Sequence, residues 1–268
     1  MIQSKILFSA LLMTLLLGIC LSSPAATEEE LQQAYLVAVQ DAEIAEANEI
    51  YENLTPIVES NTNLIWTGEA ANRRVRVVTW TSWTGYDGMV GKRLQITESL
   101  AAKTAAKNPL GSYEASREIW VTVAPEVIEF CTENPLTAQN FELRMEQILG
   151  VPPHNGKTRF VEFWVSPSDL FRPSPDPEIA DTRAELDFPA GVSEAHQTWF
   201  NNLKAASYTV SKYPWTRLGY TYDWGNPNSE VGLTEYVIRV GAVVDVYSVT
   251  LNAEYCGISS SVSEWSLY

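Results

Sequence analysis

Carboxylates are the residues of this chain best suited to chemistry. Six of them crowd one stretch: Asp169, Asp176, Glu178, Asp181, Glu185 and Asp187. Calcium takes six to eight oxygen ligands, and loop carboxylates with free carbonyls suit it. The spacing matches no EF-hand, because the glycine of the sharp turn is missing. A solvated acidic loop is the simpler expectation, so no resident metal or cofactor is expected; calcium is the ion this loop would suit. A pair of carboxylates also hydrolyses glycosidic bonds, one as acid and the other as base or nucleophile. Asp169, Asp176 and Asp223 are the candidates for that role. His154, in the loop after Pro152-Pro153, is a further catalytic candidate. Asp223 stands between Tyr222 and Trp224, and Asp87 between Tyr86 and Gly88. Rings beside a carboxylate can stack a sugar and bind its hydroxyls, which makes Trp83, Tyr86, Tyr222 and Trp224 the expected binding residues. Two plainer uses compete: Asp favours turns because its side chain bonds the nearby backbone, and aromatics at period two fill sheet cores.

Other motifs fall short. Gly156-Lys157-Thr158 resembles the end of a phosphate loop, but Val151 stands where the leading glycine belongs, and a strand rather than a helix is expected next. The chain has no G-x-S-x-G and no H-E-x-x-H, and only two histidines, His154 and His196. A thiol–imidazole pair would need Cys131 within reach of one of them. Cys131 reads instead as part of the apolar face of a short helix.

The charge is -15, from 33 acidic and 18 basic residues. Such a chain repels nucleic acid unless it carries a local basic patch. The densest cluster, Arg73, Arg74 and Arg76, is too small for that, so nucleic acid is excluded as a partner. Residues 1–26 read as a signal peptide: Lys5, an apolar run from Ile6 to Leu21, then Ser22, Ser23, Pro24, Ala25 and Ala26. Cleavage is expected after Ala25 or Ala26. The run is shorter than the roughly 20 residues of a spanning helix, so no membrane span is expected after cleavage. Ile19 before Cys20 argues against a lipoprotein. The expected location is therefore secreted or periplasmic. Cys131 and Cys256 remain, and in an oxidising compartment they can pair; two separate buried thiols are the alternative.

These residues must be positioned by a mixture of helices and strands. Thr27 and Glu30 form a capping box, and the Ala/Glu-rich segment to Leu54 predicts one long helix over residues 27–56. Leu31, Tyr35, Ala38, Ala42 and Ala45 form its apolar stripe. Residues 57–268 form the main domain. Strands are expected over 74–83, at Ile119, Val121 and Val123, and over 160–165. Helices are expected over 125–131, 137–149 and 193–206. Residues 166–190, with five prolines, read as a long loop. Leu218 to Trp224, Tyr236 to Val240 and Val243 to Leu251 read as an antiparallel meander. Helices and strands do not alternate regularly, so the fold class is α+β: a single domain with a mainly antiparallel sheet, several flanking helices and a long N-terminal helix.

The leading functional expectation is a non-catalytic protein that binds a glycan or an envelope protein. A carboxylate-dependent extracytoplasmic hydrolase is one alternative, and an assembly factor docking through the N-terminal helix is the other.

Overall fold

The computed structural model describes residues 26–97, 113–116 and 118–258. Residues 1–25 of the expected signal peptide lie outside the described residues. Among the described residues, five helices and eleven strands form one α+β unit. The main sheet joins β1 (Trp66–Thr67), β2 (Arg74–Thr81), β3 (Arg93–Thr97), β4 (Tyr113–Ser116), β5 (Ile119–Val123), β6 (Arg159–Val165), β7 (Leu170–Phe171), β10 (Tyr236–Ile238) and β11 (Val243–Leu251). Their order is β4-β3-β11-β6-β2-β5-β10-β7, with β1 beside β2. Only the β3–β4 pair is parallel among the described strands. β8 (Tyr220–Tyr222) and β9 (Val231–Thr234) form a separate antiparallel pair.

Side chains alternate along a strand, and this divides the core in two. Val75, Val77, Ile119, Val121, Val161, Phe163, Tyr236 and Ile238 share one face and one buried cluster. Val78, Trp80 and Phe160 lie on the other, under α2 (Ala124–Glu133) and α3 (Phe141–Ile148). α4 (Glu194–Ala206) covers the same side near β5 and β7, where Trp199 meets Trp120 and Phe171.

The C-terminal strands are not a meander of neighbours. β10 pairs with β5 and β7, while β11 pairs with β3 and β6. Three strands therefore separate β10 from β11 in the sheet, yet Ile238 and Val243 are five residues apart. A flat sheet would need about 19 Å between them, and five extended residues reach about 18 Å. The sheet has to curl. Gly241, at φ +93, makes the turn. α5 (Asn252–Tyr255) follows β11, and Cys256 at its end meets Cys131 of α2 with their Cα atoms 5.3 Å apart. The two cysteines form the pair expected from the sequence.

Helix α1 spans Glu28–Asp41, with the Thr27/Glu30 capping box in place. It stops well before Leu54, a correction to the long helix expected. No glycine or proline ends it. Instead the guanidinium of Arg217 donates to the carbonyls of Ala42 (3.1 Å) and Glu43 (2.8 Å). Further on, Leu54 and Ile57 donate backbone bonds to Thr182 and Ile179. Tertiary hydrogen bonds override the local propensity, which is worth only a fraction of a kcal/mol per residue.

Candidate functional site

The residues singled out by the sequence fall in separate settings. Asp223 is 2% exposed and takes both hydrogen bonds of a forked ion pair from Arg144, at 2.8 and 2.6 Å. Asp169 closes a short helical turn before β7; burial raises its carboxyl, against the opposing pull of Arg239 and Arg74. Asp176 accepts the backbone N–H of Glu178. His154 is exposed and pairs with Glu28 at 2.6 Å, which holds the imidazole above its ordinary range. His196 lies on α4, 2.8 Å from the carbonyl of Ser174, and burial lowers it. Cys131 meets no imidazole, because its sulfur is joined to Cys256.

The four aromatics expected to bind are used for packing. Trp83 and Tyr86 meet edge to face at 4.4 Å, and Tyr86 in turn packs on Phe163. Tyr86 and Trp224 are buried. Trp224 packs on Tyr35 and donates its indole N–H to the carbonyls of Glu146 and Val151. Tyr222 donates its hydroxyl to Asp41 at 2.8 Å.

The acidic loop is tied down by arginine. Arg172, wholly buried, donates to the Asp181 carboxylate and to the carbonyls of Asp181 (2.7 Å) and Arg183 (2.6 Å). Glu185 faces Arg183 at 3.4 Å, and Glu178 accepts the N–H of Ala180. The loop carboxylates therefore do not converge on one ion. The three carboxylates that do approach lie elsewhere: Asp41, Glu49 and Glu230 offer oxygens within 4.8 Å of one another. Tyr222 and Tyr220 donate hydroxyls to Asp41 and Glu230. Burial, followed by neighbouring negative charge, raises Glu49; burial chiefly raises Glu230. Tyrosine hydroxyls on Asp41 and Glu230 and the Glu46 N–H on Glu49 engage oxygens of all three.

Glu235, between β9 and β10, has no side-chain partner among the described residues. Burial pushes its carboxyl from 4.5 up to about 8. The folded state thus holds a proton that the unfolded chain releases near pH 4.5. Its stabilising effect is complete below that value and is lost as pH rises towards 8. The residue is not wholly shut off from water, which reduces the effect well below the full shift. Between about pH 5 and about pH 9 the wild type should lose about 2 kcal/mol more stability than Glu235→Gln. Urea unfolding of both proteins across that range checks it; parallel pH profiles would contradict it.

A cavity of about 130 Å³ lies where the acidic loop, α4 and the chain after α1 meet. Ala45, Pro175, Leu186, Phe188, Phe200 and Leu218 supply apolar wall, while Arg217, Lys204, Glu185, Asp187 and Asn201 supply polar groups. Arg217 and Phe200 are buried, whereas Lys204, Asn201 and Asp187 are exposed at the rim. Arg217 stands just before the expected strand from Leu218 to Trp224. It is 7% exposed, with φ at +62. That left-handed conformation costs a residue with a Cβ roughly 1–2 kcal/mol. Gly219, at φ +78, follows: a Cβ there would stand 2.7 Å from Arg172 and 2.9 Å from Leu54. The chain is thus pressed against Arg172 on one side of Leu218 and turned to place Arg217 on the other.

The charge of Arg217 has no carboxylate partner among the described residues. One nitrogen caps the end of α1 through the Ala42 and Glu43 carbonyls, and the ring of Tyr208 lies 5.6 Å from the guanidinium carbon. Its Nε–H is buried and meets no acceptor among the described residues, as holds also for Arg73, Arg76, Arg172 and Arg183; what sets Arg217 apart is the absence of a carboxylate. A buried charge normally has a paired counter-charge, and backbone strain of this kind persists where the surroundings or the function demand it. Nothing in the sequence marks Arg217 beyond its being a lone cation in the aromatic run Trp215 to Tyr220.

Compared with known protein families, with curated proteins and with solved structures, the chain matches none.

Proposed function

We propose that this is an exported, non-catalytic binding protein that takes the carboxylate of a small ligand in the Arg217 cavity. The observation that carries the reading is the buried guanidinium that lines this cavity without a counter-ion. A carboxylate accepts the N–H bonds of a guanidinium in plane and supplies the missing negative charge. The apolar wall would cover the remainder of the ligand, as is usual in small-molecule sites. Export draws support from the leader-like first 26 residues and from the cysteine pair. No helix among the described residues is long and apolar enough to cross a membrane.

A non-catalytic role is favoured because Asp223, Asp176 and His154 are each engaged in a separate structural contact. A glycan or envelope-protein partner, the expectation from aromatic content, loses support once Tyr86, Trp224, Trp83 and Tyr222 are seen to serve packing. Docking through α1 is weakened likewise, since Tyr35, Ala38 and Val39 turn inward.

Isothermal titration tests the proposal. Isovalerate should bind saturably at one site, and inorganic phosphate more weakly, because the cavity wall favours an apolar tail. Arg217→Met should weaken isovalerate binding about 10- to 100-fold. Should that variant lose its fold with the cap on α1, Lys204→Ala on the exposed rim should still weaken binding about two- to fivefold. Absence of a saturable isotherm with every carboxylate-bearing probe, or binding indifferent to both substitutions, would overturn the proposal.

A further inference from the structure

We infer that the ligand of the Arg217 cavity is a small zwitterion of the amino-acid type, its carboxylate on Arg217 and its ammonium towards Glu185 and Asp187. This rests on the carboxylate-binding reading and adds the second charge to it. The lining carries both signs: Arg217 and Lys204 against Asp187 and against Glu185, which also faces Arg183 at 3.4 Å. An anion alone would gain the two cations and meet the repulsion of two carboxylates. A molecule with both charges satisfies both pairs.

Four further observations favour it. Asp187 has no ion pair or hydrogen bond among the described residues, so its charge is open to a ligand. Phe188 and Phe200, with ring centroids 5.2 Å apart, line the same cavity; ring faces attract an ammonium. The whole chain carries -15, and a field of that sign discourages approach of a net anion while leaving a neutral zwitterion unpenalised. The volume of about 130 Å³ suits a compound of modest size, since a cavity of roughly 150 Å³ accepts benzene.

The test uses ligands that share a skeleton. Valine is compared with isovalerate, which lacks the ammonium, and with isobutylamine, which lacks the carboxylate. 4-Aminobutyrate is compared with butyrate in the same way. At least one zwitterion should bind about tenfold or more tightly than its carboxylate counterpart, and isobutylamine should bind least. In the surface variant Glu185→Gln/Asp187→Asn that advantage should vanish, leaving zwitterion and carboxylate alike. If the simple carboxylates bind as tightly as both zwitterions, the zwitterion inference fails and carboxylate binding stands. If no carboxylate-bearing probe binds, both fail together.

Discussion

Replacing Cys131 and Cys256 with serine should lower the free energy of unfolding by about 4–5 kcal/mol. The two cysteines are 125 residues apart in sequence. A cross-link over so long a loop removes much of the entropy of the unfolded chain, and the benefit grows with the logarithm of loop length. The link also ties α2 to the end of α5 over the cluster of Val78, Phe141, Met145 and Phe160. The free chain would therefore lose both the constraint and the clamp on that layer. Urea unfolding of wild type with and without reductant, beside the double variant, measures the difference. A loss under about 1 kcal/mol would show that the pair contributes little. The predicted size matters for function as well, since a domain that depends on this link is best made where thiols are oxidised.

Asp223→Ala should cost about 3–5 kcal/mol, because it leaves Arg144 as a charge without its partner. The Asp223 side chain is 1% exposed, and its oxygens accept from both terminal nitrogens of Arg144 and from the Gly225 N–H. The alternative role for this residue, a catalytic carboxylate, makes the opposite prediction: the variant folds normally and loses only activity. Thermal and urea unfolding of Asp223→Ala separate the two. The double variant Asp223→Leu/Arg144→Met should recover much of the loss, since removing both charges leaves neither one unpaired. Failure to recover would place the cost in the turn at Gly225 rather than in the ion pair.

The parts of this fold governed by local rules were legible in the sequence. Alternation identified the buried face of β6 from Val161, Phe163 and Val165, and that of β5 from Ile119, Val121 and Val123. The Thr27/Glu30 box and the Ser193 cap start α1 and α4 as their chemistry requires. Non-local competition was not legible. The end of α1 is set by Arg217, whose partner carbonyls lie more than 170 residues away in sequence. The five prolines of residues 166–190 predict loop throughout, but the segment opens with a helical turn and with β7. It is then held by the buried Arg172, a residue no local pattern marks. The meander failed because β10 and β11, although consecutive, exchange hydrogen bonds with other strands.

The same division explains the site. Carboxylates and aromatics announce themselves by type, yet most of those singled out, Asp223 and Trp224 among them, were recruited by the core and its ion pairs. Arg217 gave no such signal. Its importance lies in burial, strained backbone and a missing partner, and each of these is a property of the folded chain.

The most direct test is to watch the Arg217 guanidinium itself. In nitrogen-15-labelled protein, its Nε–H resonance can be assigned by its disappearance in Arg217→Lys. As isovalerate is added, that resonance should shift along a saturable curve, together with the backbone amides of Leu186, Phe188 and Leu218. A resonance that stays fixed while ligand is raised well into the millimolar range would contradict the account, leaving Arg217 as no more than the cap on α1.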